Sequence, residues 1–180
     1  DAPLLRHVAA CHLPVILSTG GGTAGDIDRA VNLVAPHAPL AVLHCTAAYP
    51  VRDFSELNLR CIDTLRTRYP ELVIGWSGHD AGIAMAPVAD ALGARIIEKH
   101  FTLNRTMKGT DHPWSLEPVG FRKLRRDVDR TFEALGDGVK RVYPSEVEPI
   151  GKMRRGCVNG EWQIGTVEEP GPLSSFPVIN

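Results

Sequence analysis

Short apolar runs alternate with segments of helical periodicity over roughly the first 135 residues of the chain. Four runs, at 15–17, 40–44, 72–76 and 95–99, have the length and composition of buried strands. Between them, apolar residues recur every three or four positions, which predicts helices over 3–11, 23–34, 58–69, 82–92 and 121–135. Thr23 and Asn58 are suitable N-cap residues, and Gly136 is a suitable stop for the last helix.

Strands that are nearly all apolar and separated by helices are typical of a parallel sheet buried on both faces. Four such units fit half of an eight-stranded (β/α)8 barrel, and they also fit a small doubly wound sheet. The pattern leaves both folds open. In either one, functional side chains gather at the C-terminal ends of the strands. We therefore predict one α/β domain over residues 1–140.

The character of the chain changes after this domain. Residues 141–180 contain many Pro, Gly and Ser residues and show little apolar periodicity. We predict a linker followed by an irregular tail.

Composition excludes several functional classes. The net charge is −1, which argues against a nucleic-acid partner, because such proteins present a basic face. No apolar stretch approaches the roughly 20 residues of a membrane span. The four cysteines are far apart in sequence, unlike those of a zinc ribbon or a redox motif, and the N-terminus does not have the pattern of a signal peptide. We expect a cytoplasmic protein with reduced cysteines.

Two histidines are the leading candidates for chemistry. His79 and His100 each follow a predicted strand, so they can converge at one edge of the sheet. Neutral imidazole is a common ligand for divalent metals, and the lack of a cysteine ligand favours Mn or Mg over structural zinc. The alternative is that both histidines pack in the core with backbone hydrogen bonds.

Other polar residues at strand ends have more than one interpretation. His44 is a third ligand, an acid/base group or a residue packed beneath the site. The loop that contains Gly20 precedes a helix and either binds an anion or forms a simple turn. Glu98 lies within the last strand and needs a partner if it is buried, whereas Lys99 points to the opposite face. Asp111, in a long loop, holds substrate hydroxyls, acts as an acid/base or is merely solvated.

Several short motifs together resemble the sialic acid synthase family, which comprises N-acetylneuraminate synthase and its bacterial relatives. They cover about residues 2 to 155 in order. The matching segments are Leu17-Ser18-Thr19-Gly20, His44-Cys45-Thr46 with Tyr49-Pro50, Asn58-Leu59-Arg60, Gly75-Trp76-Ser77-Gly78-His79, Glu98-Lys99-His100-Phe101-Thr102-Leu103, Lys108-Gly109-Thr110-Asp111-His112 and Ser115-Leu116-Glu117-Pro118.

The resemblance implies a (β/α)8 barrel followed by an antifreeze-like domain, and an enzyme of the transferase class. The family joins phosphoenolpyruvate to N-acetylmannosamine, giving N-acetylneuraminate and phosphate. It implies His79 and His100 as ligands of a divalent metal, usually Mn and alternatively Mg. It also implies that Ser18 and Ser77 bind phosphoenolpyruvate and that Tyr49 and Asp111 bind the amino sugar. We expect Asp111 and Glu98 to be the catalytic carboxylates.

By the same resemblance, this chain corresponds to about strands five to eight of the barrel. Residues 156–180 do not resemble a complete antifreeze-like domain. We therefore expect the isolated chain to be inactive, and either to form homo-oligomers or to associate with the missing half barrel. Synthases of related nonulosonates, legionaminate or pseudaminate, and a non-catalytic metal- or sugar-binding remnant are the alternatives.

Overall fold

Four parallel strands lie side by side in the order in which they occur along the chain. The computed structural model describes residues 1–158 and 161–164, and its strands are β1 (Val15–Ser18), β2 (Leu40–Cys45), β3 (Val73–Gly78) and β4 (Ile97–Lys99). A doubly wound sheet reverses its strand order at a switch point, whereas the order here never reverses. The structure therefore selects the half-barrel of the two α/β folds; the numbering of its strands as five to eight stays a prediction.

Helices connect the strands on one side of the sheet. They are α1 (Ala2–Ala10), α2 (Ala24–Val34), α3 (Cys61–Arg68), α4 (Met85–Ala91) and α5 (Pro118–Leu135), with short 3-10 helices at Phe54–Leu57 and His112–Trp114. Thr23 caps α2 as predicted: its hydroxyl accepts from the Asp26 N–H, and the Asp26 carboxylate accepts from the Thr23 N–H.

Two helices begin later than the sequence predicts. Asn58 does not cap α3, which begins three residues later; it adopts a left-handed conformation, φ 39°, and ends the first 3-10 helix. Asn tolerates this conformation better than most residues, so a cap signal and a turn signal look alike in sequence. The helix predicted from residue 82 begins only at Met85. Pro87 is then in its first turn, where the missing N–H costs no hydrogen bond.

The two faces of the sheet have different environments. The face toward the helices is the core, in which Val34, Val42, Ile62 and Trp76 are almost completely buried. Burying an aliphatic side chain of this size contributes about 1.5–3 kcal/mol. On the opposite face, the inner face of the half-barrel, Ile16 retains 58% and Val73 47% of its accessible surface. The helix-facing side is therefore packed, whereas the inner face is only partly covered.

Residues from 136 onward form a separate unit. Its described part contains a helix, α6 (Pro144–Met153), and an antiparallel pair of strands, β5 (Arg155–Val158) and β6 (Glu161–Ile164). The prediction of a linker and irregular tail over 141–180 is thus wrong for this part. Pro144 occupies the first position of α6, where proline fits well, and the Glu146 carboxylate caps the Tyr143 N–H at 2.8 Å. Residues 159–160 and 165–180 lie outside the described part, and the prediction about an antifreeze-like domain falls largely on them.

None of the helices in the described ranges has the length and apolar character needed to cross a bilayer.

A polar cluster ties α2 to the end of α3. The Arg68 guanidinium binds both carboxylate oxygens of Asp28, and the Tyr69 hydroxyl donates to the same carboxylate. The hydrogen bond from Arg68, followed by that from Tyr69, lowers the pKa of Asp28 from 3.8 to about 2. The charged carboxylate therefore stabilises the folded state above pH 3.8, and this stabilisation disappears as the pH falls through about 2.

We predict that Asp28→Asn makes the thermal midpoint less dependent on acid. Between pH 4 and pH 2 the wild-type midpoint, measured by circular dichroism, should fall more steeply than that of the variant, because only the wild type must protonate Asp28. Asp63→Asn is the matched control on α3, since Asp63 makes only an exposed contact with Arg66. Parallel curves for wild type and Asp28→Asn would contradict the assignment.

Candidate active site

Strand alternation places the predicted site residues on the inner face of the half-barrel. Ser77 pairs with Cys45 on one side and with Glu98 on the other. Residues paired in register point to the same face, so these three side chains share one surface. His79 and His100 follow Ser77 and Glu98 by two residues and continue the same face.

Glu98 lies at the centre of this surface. Its Oε1 accepts a hydrogen bond from Ser77 at 2.9 Å, and its Oε2 accepts one from Ser18 at 3.1 Å. The three residues come from β3, β4 and β1, so the carboxylate links strands that are distant in sequence. The sequence required a partner for Glu98 only if the side chain was buried; it is exposed, and it nevertheless accepts from two hydroxyls. A carboxylate held this way can accept a proton or bind a substrate hydroxyl.

His79 is almost fully buried, and its ring has a defined tautomer. Its Nδ1 lies 2.9 Å from the Thr46 carbonyl oxygen, so Nδ1 carries the proton and donates it there. The Nε2 lone pair is then available to a metal or a substrate. The Cys45 Sγ lies 3.7 Å from the same Nδ1, and burial raises the pKa of the Cys45 thiol, so it remains uncharged beneath the ring.

His100 is the second imidazole at this edge. Its ring centroid lies 5.2 Å from that of His79, with the planes almost perpendicular. Burial and the neighbouring His79 lower the pKa of His100, against the opposing effect of Asp111 and Glu98. The neutral imidazole is therefore favoured, and this is the form that binds metals.

Asp111 approaches His100 from the long loop after β4. Its Oδ2 is 3.6 Å from His100 Nδ1, too long for a hydrogen bond but close enough for electrostatic attraction. The side chain is 51% exposed. Its backbone carbonyl accepts from the Ser115 N–H and hydroxyl, at 3.2 and 2.7 Å, so the loop is fixed while the carboxylate stays accessible.

Two aromatic residues complete the edge. Tyr49 packs against His79 with a centroid distance of 4.4 Å, and Trp114 packs against His100 at 4.2 Å, with the ring planes tilted in both pairs. Tyr49 is 56% exposed, as suits a residue that meets a ligand. Trp114 was not a candidate from the sequence. A large aromatic residue in a polar loop, three positions after Asp111, is the signal that could have identified it.

The donor set fits a divalent ion with two imidazole ligands. The His79 Nδ1–H donates a hydrogen bond to the Thr46 carbonyl oxygen, which is the arrangement that usually supports a ligating histidine. Within the residues that the structure describes, no cluster of three or more His, Cys, Asp or Glu side chains suits a metal. The remaining coordination positions would fall to water or substrate oxygens, as hard cations such as Mn and Mg prefer.

His44 belongs to the fold rather than to this site. It pairs with Trp76, so it lies on the helix-facing side of the sheet, and its Nε2 is 2.7 Å from the Leu57 carbonyl oxygen. Of the three interpretations open from the sequence, the structure therefore supports packing beneath the site.

The glycine-containing loop after β1 has a packing role. A Cβ on Gly20 would lie 2.7 Å from Cys45 Sγ and 2.8 Å from Ala47 Cβ, so glycine is needed for this close approach. The Asp26 carboxylate already accepts the Thr23 N–H at the start of α2. The structure thus offers no support for an anion at this helix terminus.

Several known proteins are similar to this chain in sequence and in fold. The model of the NeuB family matches residues 1–140. The chain belongs to the NeuB family. The predicted resemblance to sialic acid synthases is confirmed by relatives: the chain is 38% identical over 162 residues to the N,N'-diacetyllegionaminic acid synthase of Campylobacter jejuni, covering 88% of this chain and 48% of that protein. It is also 38% identical over 154 residues to human N-acetylneuraminate-9-phosphate synthase, covering 83% and 43%.

A solved structure shows the same fold. The N-acetylneuraminic acid synthetase of Leptospira borgpetersenii superposes with a TM-score of 0.73 at 40% identity, covering 82% of this chain and 52% of that one. This NeuB-family chain thus spans about half the length of the relatives that it matches.

Proposed function

We propose that this NeuB-family chain is the C-terminal half-barrel of a synthase that condenses phosphoenolpyruvate with N-acetylmannosamine, giving N-acetylneuraminate and phosphate. The observation that carries the proposal is the convergence of His79, His100, Glu98 and Asp111 at one edge of the sheet. Two imidazoles beside two carboxylates suit chemistry that must polarise a carbonyl group and move protons. Family membership supports the reaction class.

The net reaction forms one carbon–carbon bond and consumes one water. The enol carbon of phosphoenolpyruvate attacks the aldehyde carbon of the sugar, whose oxygen takes a proton and becomes a hydroxyl. Water adds to the resulting cationic carbon and loses a proton, and phosphate then departs with the bridging oxygen, leaving a ketone. A divalent ion held by His79 and His100, Mn in our proposal, would act as a Lewis acid toward the aldehyde.

The side chains of this chain have three roles in this scheme. We assign Ser18 and Ser77 to phosphoenolpyruvate, since their hydroxyls lie beside the open inner face. Tyr49 and Asp111 contact the amino sugar at the rim, where both are exposed. Glu98 and Asp111 are the carboxylates that hold or move protons, and Glu98 is oriented for this by its two serine partners.

The inner face also indicates a partner. Ile16 and Val73 are exposed on it, and β1 is an edge strand whose outer side is unpaired within the described sheet. A second half-barrel, from the remainder of a synthase or from another copy, would cover both. We propose that turnover requires this cover, because an open site cannot exclude water or position a multiply charged substrate.

Relatives that act on different amino sugars define a second candidate function. Identity to the legionaminic acid synthase and to the human enzyme is the same, 38%, so a related nonulosonate synthase is the second candidate. A non-catalytic binding role is the third, and the accessible carboxylates of Glu98 and Asp111 favour it less.

A chimera tests the function. Residues 1–140 would replace the matched segment of the C. jejuni enzyme, and phosphate release would be measured with phosphoenolpyruvate, Mn and N-acetylmannosamine. We expect turnover with this sugar, and none from the 180-residue chain alone. Turnover only with the amino-sugar precursor of legionaminate would select the second candidate, and a folded chimera inactive with both sugars would contradict a synthase role.

We predict that Asp111→Ala in the chimera lowers turnover at least a hundredfold, because an acid/base or sugar contact is lost. Stability should change by less than about 0.5 kcal/mol, since the exposed side chain fills no cavity. Asp63→Ala on α3 is the control and should affect neither quantity. A large loss of stability with normal turnover would place Asp111 in the fold instead.

We predict that His79 and His100 bind Mn. Titration followed by the EPR signal of free Mn should show binding to the 180-residue chain that weakens more than tenfold in the His79→Ala, His100→Ala double variant. The control is His7→Ala, His37→Ala, which removes two exposed imidazoles remote from this edge. Equal binding by wild type and the site variant would refute the metal assignment.

A further inference from the structure

A buried ion pair lies directly behind the two site histidines. The Lys99 ammonium is 2.7 Å from Asp80 Oδ1 and 2.6 Å from the Asp80 carbonyl oxygen. The Lys99 and Asp80 side chains are only 3% and 2% exposed. Among the ion pairs of the described residues, no other has both side chains buried to this degree. Trp76 lies alongside, with its ring centroid 5.4 Å from the ammonium.

Each member of this pair is the sequence neighbour of a site histidine. Asp80 follows His79, and Lys99 precedes His100. In extended backbone successive side chains point to opposite faces. The ion pair therefore lies on the helix-facing side, while the imidazoles lie on the inner face.

Strand pairing alone does not fix the two histidines. The ladder between β3 and β4 ends where Gly78 pairs with Lys99, so both histidines lie one residue past it. Beyond that point the backbone at 79–80 is held by hydrogen bonds on two sides. On one side the Val51 N–H donates to the His79 carbonyl at 3.0 Å, and on the other Lys99 binds Asp80.

The energetics favour a positional role for the pair. Burying two charges carries a desolvation penalty that the attraction only roughly offsets, so apolar residues of similar volume often give equal stability. What apolar residues cannot reproduce is directionality, because the ammonium binds one carbonyl and one carboxylate oxygen at defined positions. Without the Lys99–Asp80 pair, the relative positions of His79 and His100 would no longer be fixed.

We propose that Lys99 and Asp80 are positioning residues that hold the His79 and His100 rings at the separation needed to share one ligand. The role rests on the proposed function insofar as that ligand is a metal ion. Lys99 itself contacts neither the ion nor the substrate, since its side chain lies on the far side of the sheet.

The test is a double variant, Lys99→Met with Asp80→Leu, which removes both charges and keeps the volume. Its matched control is Arg95→Met with Asp90→Leu, an ion pair just before β4 that also contains a buried carboxylate. Mn affinity is measured by EPR on the 180-residue chain, together with thermal stability. We expect the dissociation constant to rise at least tenfold in the site variant and to stay within twofold of wild type in the control, at comparable thermal midpoints.

A second measurement does not depend on a metal. The His79 Nδ1 proton is hydrogen-bonded to Thr46, and its exchange with solvent can be followed by NMR. We expect exchange at least tenfold faster in the site variant and unchanged in the control. If wild type binds no Mn, the metal assignment fails and this exchange rate alone decides the positioning role.

Two outcomes would overturn the proposal. One is wild-type-like exchange of the His79 proton in the folded site variant. The other is an equal loss of Mn affinity in site and control variants, which would indicate a general loss of stability. Should the double variant not fold, Asp80→Asn keeps the side-chain shape and one acceptor oxygen. The same criteria then apply to it, with Asp90→Asn as its control.

Discussion

The in-register parallel pairing of β1 to β4 is the constraint on which the rest of this structure depends. Because strand side chains alternate with a period of two, the register that places Ser77 beside Glu98 also places His79 beside His100. A shift of one residue in either strand would send these side chains into the helix-facing core. The hydrophobic residues on that side, Val42 and Trp76 among them, resist such a shift because they would become exposed on the inner face. The core thus specifies the site.

Polar side chains have different surroundings on the two faces of the sheet. On the inner face lie the candidate site residues: the exposed Glu98 carboxylate accepts hydrogen bonds from two serines, and the histidine rings pack against Tyr49 and Trp114. On the helix-facing side, the polar groups have structural partners, as with His44 and the Leu57 carbonyl or Lys99 and Asp80. The register therefore places His44 in the fold and His79 and His100 at the candidate site.

Electrostatics at the site favour the neutral form of His100. Burial lowers the pKa of His100, and the neighbouring His79 ring acts in the same direction. Behind them, burial lowers the pKa of the Lys99 ammonium, while the hydrogen bond and charge of Asp80 oppose that shift. The positive charge of Lys99 is therefore paired with Asp80 on the helix-facing side of the sheet.

Much of the fold was determined by the sequence itself. Apolar periodicity located the four strands and five helices of the first unit, because burial against a core imposes that period. It misplaced the start of α3, because Asn58 suits both a helix cap and a turn. It also missed α6, because Pro144 and Pro149 permit more than one local structure. The sequence also placed His79, His100 and Ser77 at strand ends and Glu98 within the last strand. Only the tertiary structure decided which side chains meet: strand order selected the half-barrel, register separated His44 from the other histidines, and loop packing brought Trp114 onto His100. Those outcomes depend on contacts between residues distant in the chain, which no local pattern encodes.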